Sequence, residues 1–128
     1  MFTLAEIQAA HAKVKSGADF PQYVQDLIAL GVTGYDTFVS DGHAEYFGNP
    51  EVLVSKGKYP SLSIASELKK EYFQERLKLH QAGGIDYMTF CTDCADCGIE
   101  KWTLDMQSGT CTYYDQAGNS VLVEYFKN

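Results

Sequence analysis

Basic charge is scarce in this chain relative to acidic charge. Its 128 residues hold 10 Lys and Arg against 17 Asp and Glu, a formal net charge of −7. No basic stripe is present to neutralise phosphates, so direct nucleic-acid binding is not expected. No apolar run approaches the length of a bilayer-crossing helix, so no membrane partner is expected. The opening stretch, MFTLAEIQAAHAKVKSG, has neither the cationic head nor the apolar centre of a secretory signal. The expected setting is therefore cytoplasmic, where the four cysteines stay reduced. GxGxxG, Walker A, GxSxG and HExxH patterns are also missing, so no cofactor is implied and the reading leans away from catalysis.

What is present is largely apolar. Hydrophobic residues make up 45 % and aromatics 13 %, which suits one globular domain over residues 1–128 with a sizeable core.

One stretch occurs twice. Residues 17–48 lie over residues 84–115 without a gap, and Gly17, Asp19, Asp26, Gly31, Gly42 and Tyr46 fall on Gly84, Asp86, Asp93, Gly98, Gly109 and Tyr113. Between these identities the residue type is kept, with Phe20 over Tyr87, Tyr23 over Phe90 and Tyr35 over Trp102. The spacing predicts two α-α-β-β-β halves, about 1–57 and 64–128, in an α+β fold whose antiparallel sheet is covered by helices.

In the first half, Thr3 with Glu6 reads as a capping box, and Leu4, Ile7, Ala10 and Val14 form a helical stripe ended by Gly17. Asp19 is expected to cap a second helix with Pro21 in its first turn and a buried face of Phe20, Tyr23, Val24, Leu27, Ile28 and Leu30, closed by Gly31. The period then changes to two over Tyr35–Ser40. Asp41-Gly42 reads as a two-residue hairpin turn, Gly48-Asn49-Pro50 as a second turn, and residues 51–55 as a third strand. In the second half a helix starts near Ser66 and runs to His80. Asp86 caps the next, and strands follow over 99–106, 110–115 and 121–126.

The sharpest chemical signal is Cys91, Cys94 and Cys97 at three-residue spacing, with Cys111 beyond. Thiolates so spaced suit zinc, an iron–sulfur cluster or redox exchange. The ferredoxin pattern fails, because Lys101 and Trp102 stand downstream where a fourth Cys and a Pro would be needed. The repeat places Cys91, Cys94 and Cys97 over Val24, Leu27 and Leu30, and Cys111 over Ala44, so the thiols read as core residues. On a helix the three span an arc of roughly 120°, a face and not a ring around an ion. Cys91, Cys94, Cys111 and His80 are the ligands to examine were a metal present.

His43 and Glu45 share a strand face, an arrangement suited to general acid–base work and equally to a solvent-facing hairpin. His11 and His80 read as surface or edge positions. Tyr35, Tyr46, Trp102 and Tyr113 take matched inward positions. They are core residues first and, in a concave sheet, candidate contacts for a small ligand.

Three blocks, GVTGYDTFVSDGHAEYFG, DYMTFCTDCADCGIEKWTLD and TCTYYDQAGNSVLVEYF, carry a resemblance that covers nearly the whole chain. In these the sequence resembles the YdfO/YbcV-like family of small bacterial and prophage proteins, sometimes labelled phage envelope protein. The resemblance implies a compact α+β fold and carries over no catalytic residue. The expected function is a non-enzymatic binding or regulatory module for a small ligand or a protein partner. The alternative is a small enzyme or thiol/metal protein using Cys91, Cys94 and Cys111, or His43 with Glu45.

Overall fold

The computed structural model describes residues 2–14, 19–48 and 52–125. The expected helix end at Gly17, the turn at Asn49 and Pro50, the strand start at Glu51 and the strand end at Phe126 lie outside the described residues.

Helix α1 (Leu4–His11) begins with a complete capping box. The Thr3 hydroxyl accepts from the Glu6 amide at 3.2 Å, and the Glu6 carboxylate accepts from the Thr3 amide at 3.0 Å. Helix α2 (Phe20–Leu30) ends at Gly31, whose φ of 98° only glycine adopts cheaply. Two expectations for α2 need correction. Asp19 occupies the N-cap position but its side chain makes no capping bond, since its backbone is helical (φ −88°, ψ −1°) where a cap needs an extended one. Ile28 lies on the solvent side, while Tyr23, Val24 and Leu27 are buried.

Strands β1 (Gly34–Phe38) and β2 (Ala44–Phe47) form the first hairpin. Its turn is longer than the expected Asp41-Gly42 pair. The Phe38 amide donates to the His43 carbonyl and the Gly42 amide to the Phe38 carbonyl, so Val39 to Gly42 form the loop. Val39 leaves the hairpin because its side chain is fully buried and its amide donates to the Glu100 carbonyl of another strand. β3 (Val52–Val54) is a short edge strand.

Helix α3 (Lys70–Gln81) starts later than the expected Ser66. The amides of Ala65 and Lys69 donate to the carbonyls of Ala95 and Cys97, so this segment is tied to the neighbouring helix end and makes no turn of its own. Helix α4 (Tyr87–Asp96) is capped by Asp86, which accepts from the Thr89 amide at 2.8 Å. β4 (Ile99–Asp105), β5 (Thr110–Asp115) and β6 (Ser120–Tyr125) complete the chain.

The six strands form one antiparallel sheet in the order β3-β2-β1-β4-β5-β6. Its centre is the β1–β4 ladder, where Tyr35 faces Leu104 and Thr37 faces Trp102. Gly34 sits on that ladder because a Cβ there would stand 2.6 Å from the Leu104 carbonyl oxygen. The fold is α+β, with four helices among the described residues. On one sheet face Tyr35, Thr37, Ala44, Tyr46, Trp102, Leu104, Cys111 and Tyr113 are buried, alternating with more exposed neighbours. Ile7, Tyr23, Leu27, Phe73, Leu77 and Phe90 from the helices complete this core. Among the described residues no helix is long and apolar enough to cross a membrane.

Candidate functional site

The inward strand positions bring aromatic rings together across the ladders. Tyr35 and Tyr46 are directly opposed on β1 and β2, with centroids 5.4 Å apart, and Trp102 and Tyr113 are opposed on β4 and β5 at 6.1 Å. Helix residues extend both pairs. Tyr23 meets Tyr35 edge-on at 6.2 Å, Phe90 leans on Trp102 at 5.7 Å, and Tyr87 meets Trp102 edge-on at 6.3 Å. His11 joins the two groups, edge-on to Tyr23 at 5.3 Å and to Tyr87 at 5.7 Å. His80 ends the chain of rings, stacked on Phe90 at 4.3 Å with planes 7° apart.

All nine of these rings line one cavity of about 440 Å³ between the helices and the inner sheet face. Its volume falls in the range of small-molecule sites. Thr37, Leu77, Leu104 and Cys111 also contribute to its wall, and Lys58 and Glu124 are its two oppositely charged side chains.

Burial keeps the phenols and imidazoles of the wall uncharged. Desolvation pushes the phenols of Tyr35, Tyr87 and Tyr113 well above their ordinary range, with smaller contributions from neighbouring hydroxyls and thiols. Desolvation, helped by the nearby Lys58 cation, lowers His11 to about 4. His80 is lowered by burial against opposing contributions from the Ile85 backbone and Asp86. Its Nδ1 is buried and finds no hydrogen-bond partner among the described residues. The cavity therefore offers ring faces, ring edges and neutral donors or acceptors beside the Lys58 and Glu124 side chains.

Tyr35, Tyr46, Trp102 and Tyr113, the four aromatics singled out from the sequence, all line this cavity. Cys111 reaches the cavity wall, whereas Cys91, Cys94 and Cys97 are not among the residues that line it. All four are free and buried. Burial raises every thiol: Cys111 is pushed up to about 12, Cys94 lies well above its usual range, and Cys91 is raised despite the Tyr59 and Tyr87 hydroxyls and the Lys58 cation. Such thiols stay protonated and are poor nucleophiles and poor ligands. Cys91, Cys94, Cys111 and His80 do not assemble: among the described residues no group of three or more His, Cys, Asp or Glu is arranged to hold a metal ion.

His43 and Glu45 stand on the sheet face away from the cavity, in alternation with the inward Ala44 and Tyr46. The carboxylate at His43 is that of Asp41, not Glu45. Asp41 Oδ1 accepts from the His43 amide at 3.0 Å and meets its Nδ1 at 2.5 Å. The imidazole stacks on Phe38 at 4.4 Å. Lys101 lies over the rings of Phe38 and Tyr114 and 3.9 Å from Asp36. These contacts brace the outer face of the sheet.

Sequence reasoning missed His11, His80 and Lys58 as cavity residues. A signal was available for the histidines. His11 follows Ile7 by four residues and precedes Val14 by three, and His80 follows Leu77 by three, so each sits on its helix's apolar stripe. Lys58 lies in a loop without periodicity, and only the tertiary fold brings it to the cavity.

The model of a family described as a protein of unknown function, DUF1398, matches residues 8–125, and the chain belongs to that family. No curated protein matches the chain.

Proposed function

We propose that this DUF1398 chain is a non-enzymatic binding module that holds a small, flat, largely apolar ligand in the ring-lined cavity. The observation that carries the reading is the continuous run of nine rings around about 440 Å³. Aromatic walls suit flat ligands because edges and faces offer both quadrupole orientations at low conformational cost. The protonated, buried thiols favour binding over thiol chemistry. The resemblance to the YdfO/YbcV-like proteins adds an intracellular, prophage-borne setting to the proposal.

Trp102 is the single tryptophan and lines the cavity, so its emission reports occupancy directly. Titration with 2-naphthol is expected to change that emission saturably with one site per chain. Thr37→Phe, which fills the cavity from β1, is expected to abolish the change while circular dichroism keeps the wild-type shape. Thr37→Leu is a milder filling that covers the case where the phenylalanine disrupts folding. Unsaturable binding, or undiminished binding by both folded variants, contradicts the reading.

A further inference from the structure

We infer that Lys58 is a selectivity residue and that the ligand is an aryl carboxylate, with its ring system in the cavity and its anionic end on the Lys58 ammonium. This rests on the proposed binding role of the cavity. Lys58 is the one cationic side chain among the described residues of the cavity wall. Among the described residues it makes no ion pair, and its Nζ lies 5.9 Å over the Tyr87 ring. Its loop is anchored: the Lys58 and Tyr59 amides donate to the Asp41 carbonyl, and the Tyr59 hydroxyl donates to the Val39 carbonyl. An exposed amine at the mouth of an apolar cavity, with no counter-ion among the described residues, suits a carboxylate supplied by a ligand.

The surroundings agree. A second hollow, lined by Lys56, Gly57 and Ser55, shares Lys58, His11 and Tyr46 with the cavity. Two lysines thus flank this side of a protein whose formal net charge is −7. The ammonium over Tyr87 already occupies a ring face that a cationic ligand would need. Glu124, the anionic side chain of the wall, stands opposite Cys111 on the β5–β6 ladder, whereas Lys58 lies over Tyr87 of α4 and shares the second hollow with His11 of α1. The two charges therefore mark different ends of the cavity, and an anion on Lys58 stands away from Glu124.

The test compares three probes of one ring system, 2-naphthoate, 2-naphthamide and naphthalen-2-ylmethylammonium, by Trp102 emission and calorimetry. The naphthoate is expected to bind about tenfold or more tightly than the amide, the size of a charge-assisted hydrogen bond. Lys58→Met, which keeps the stem and removes the charge, is expected to erase that preference, and Lys58→Arg to retain it. Equal binding of naphthoate and amide, or a naphthoate preference that survives in Lys58→Met, overturns the inference and leaves the binding role standing. Preference for the ammonium overturns it in favour of Glu124. If no probe binds at millimolar concentration, the cavity reading fails and the inference with it.

Discussion

The imidazole of His11 meets the phenol ring of Tyr87 edge-on, with centroids 5.7 Å apart and planes at 79°. Through this contact, with its own contact to Tyr23, His11 joins the rings of α2, β1 and β2 to those of α4 and β4. A charged imidazolium has no place among these neutral rings beside Lys58, so His11 is carried neutral in the folded state.

This makes stability depend on mild acid. His11 titrates near 6.5 when unfolded and at about 4 when folded. Between those values the unfolded chain binds the extra proton, so the contribution is fully present above about 6.5 and is lost as pH falls toward 4. Melting temperature is expected to drop between pH 7 and pH 5, before most carboxylates titrate. His11→Leu is expected to flatten that slope, leaving the smaller part due to His80, whose shift has the same sign. A variant with the full wild-type slope would show that another group sets it.

Two helix-ending glycines provide a controlled comparison. Gly31 and Gly98 both take positive φ, 98° and 85°, yet a Cβ on Gly31 meets nothing within 4 Å while one on Gly98 stands 2.8 Å from the Glu67 carbonyl oxygen. Gly31→Ala is expected to cost only the left-handed penalty, about 1–2 kcal/mol. Gly98→Ala adds a backbone clash and is expected to cost clearly more. Urea midpoints of the two variants decide the matter, and equal losses would mean that the 65–67 segment yields freely.

The thiols are expected to be silent. None of Cys91, Cys94, Cys97 and Cys111 should react with a disulfide reagent in the native protein, and all four should react once denaturant is added. Cys94 is fully enclosed. Cys94→Ser therefore places an unsatisfied hydroxyl in the core, at a cost of about 1–3 kcal/mol. Cys94→Ala leaves only a small void and is expected to be the milder change. Rapid labelling of one native thiol would place it in an open, functional environment.

Much of the sheet was legible because alternation is a local signal. Tyr35 and Thr37, then Trp102 and Leu104, declare their buried face within a few residues, and Thr3 with Glu6 declares a helix start as directly. Elements whose form depends on distant partners were not legible. The start of α3 was misplaced because Ala65 and Lys69 bond to the end of α4, and the first turn was misjudged because Val39 turns toward β4. The site divides in the same way. The four strand aromatics follow from periodicity, while Lys58 reaches the cavity only through a loop pinned at Asp41 and Val39.

The β1–β4 ladder has a kinetic consequence. The hairpins β1–β2 and β4–β5 join strands close in sequence, whereas residues 34–38 must find residues 101–105 across the whole intervening chain. Among the strand pairings that closure bears the largest loop entropy and is expected to be the slow one. Because the cavity draws its rings from both sides of the ladder, neither hairpin alone contains it, and it comes into being only when the ladder closes. A molecule bound there would act as a latch on the finished fold: it would retard opening and leave the early hairpin steps untouched.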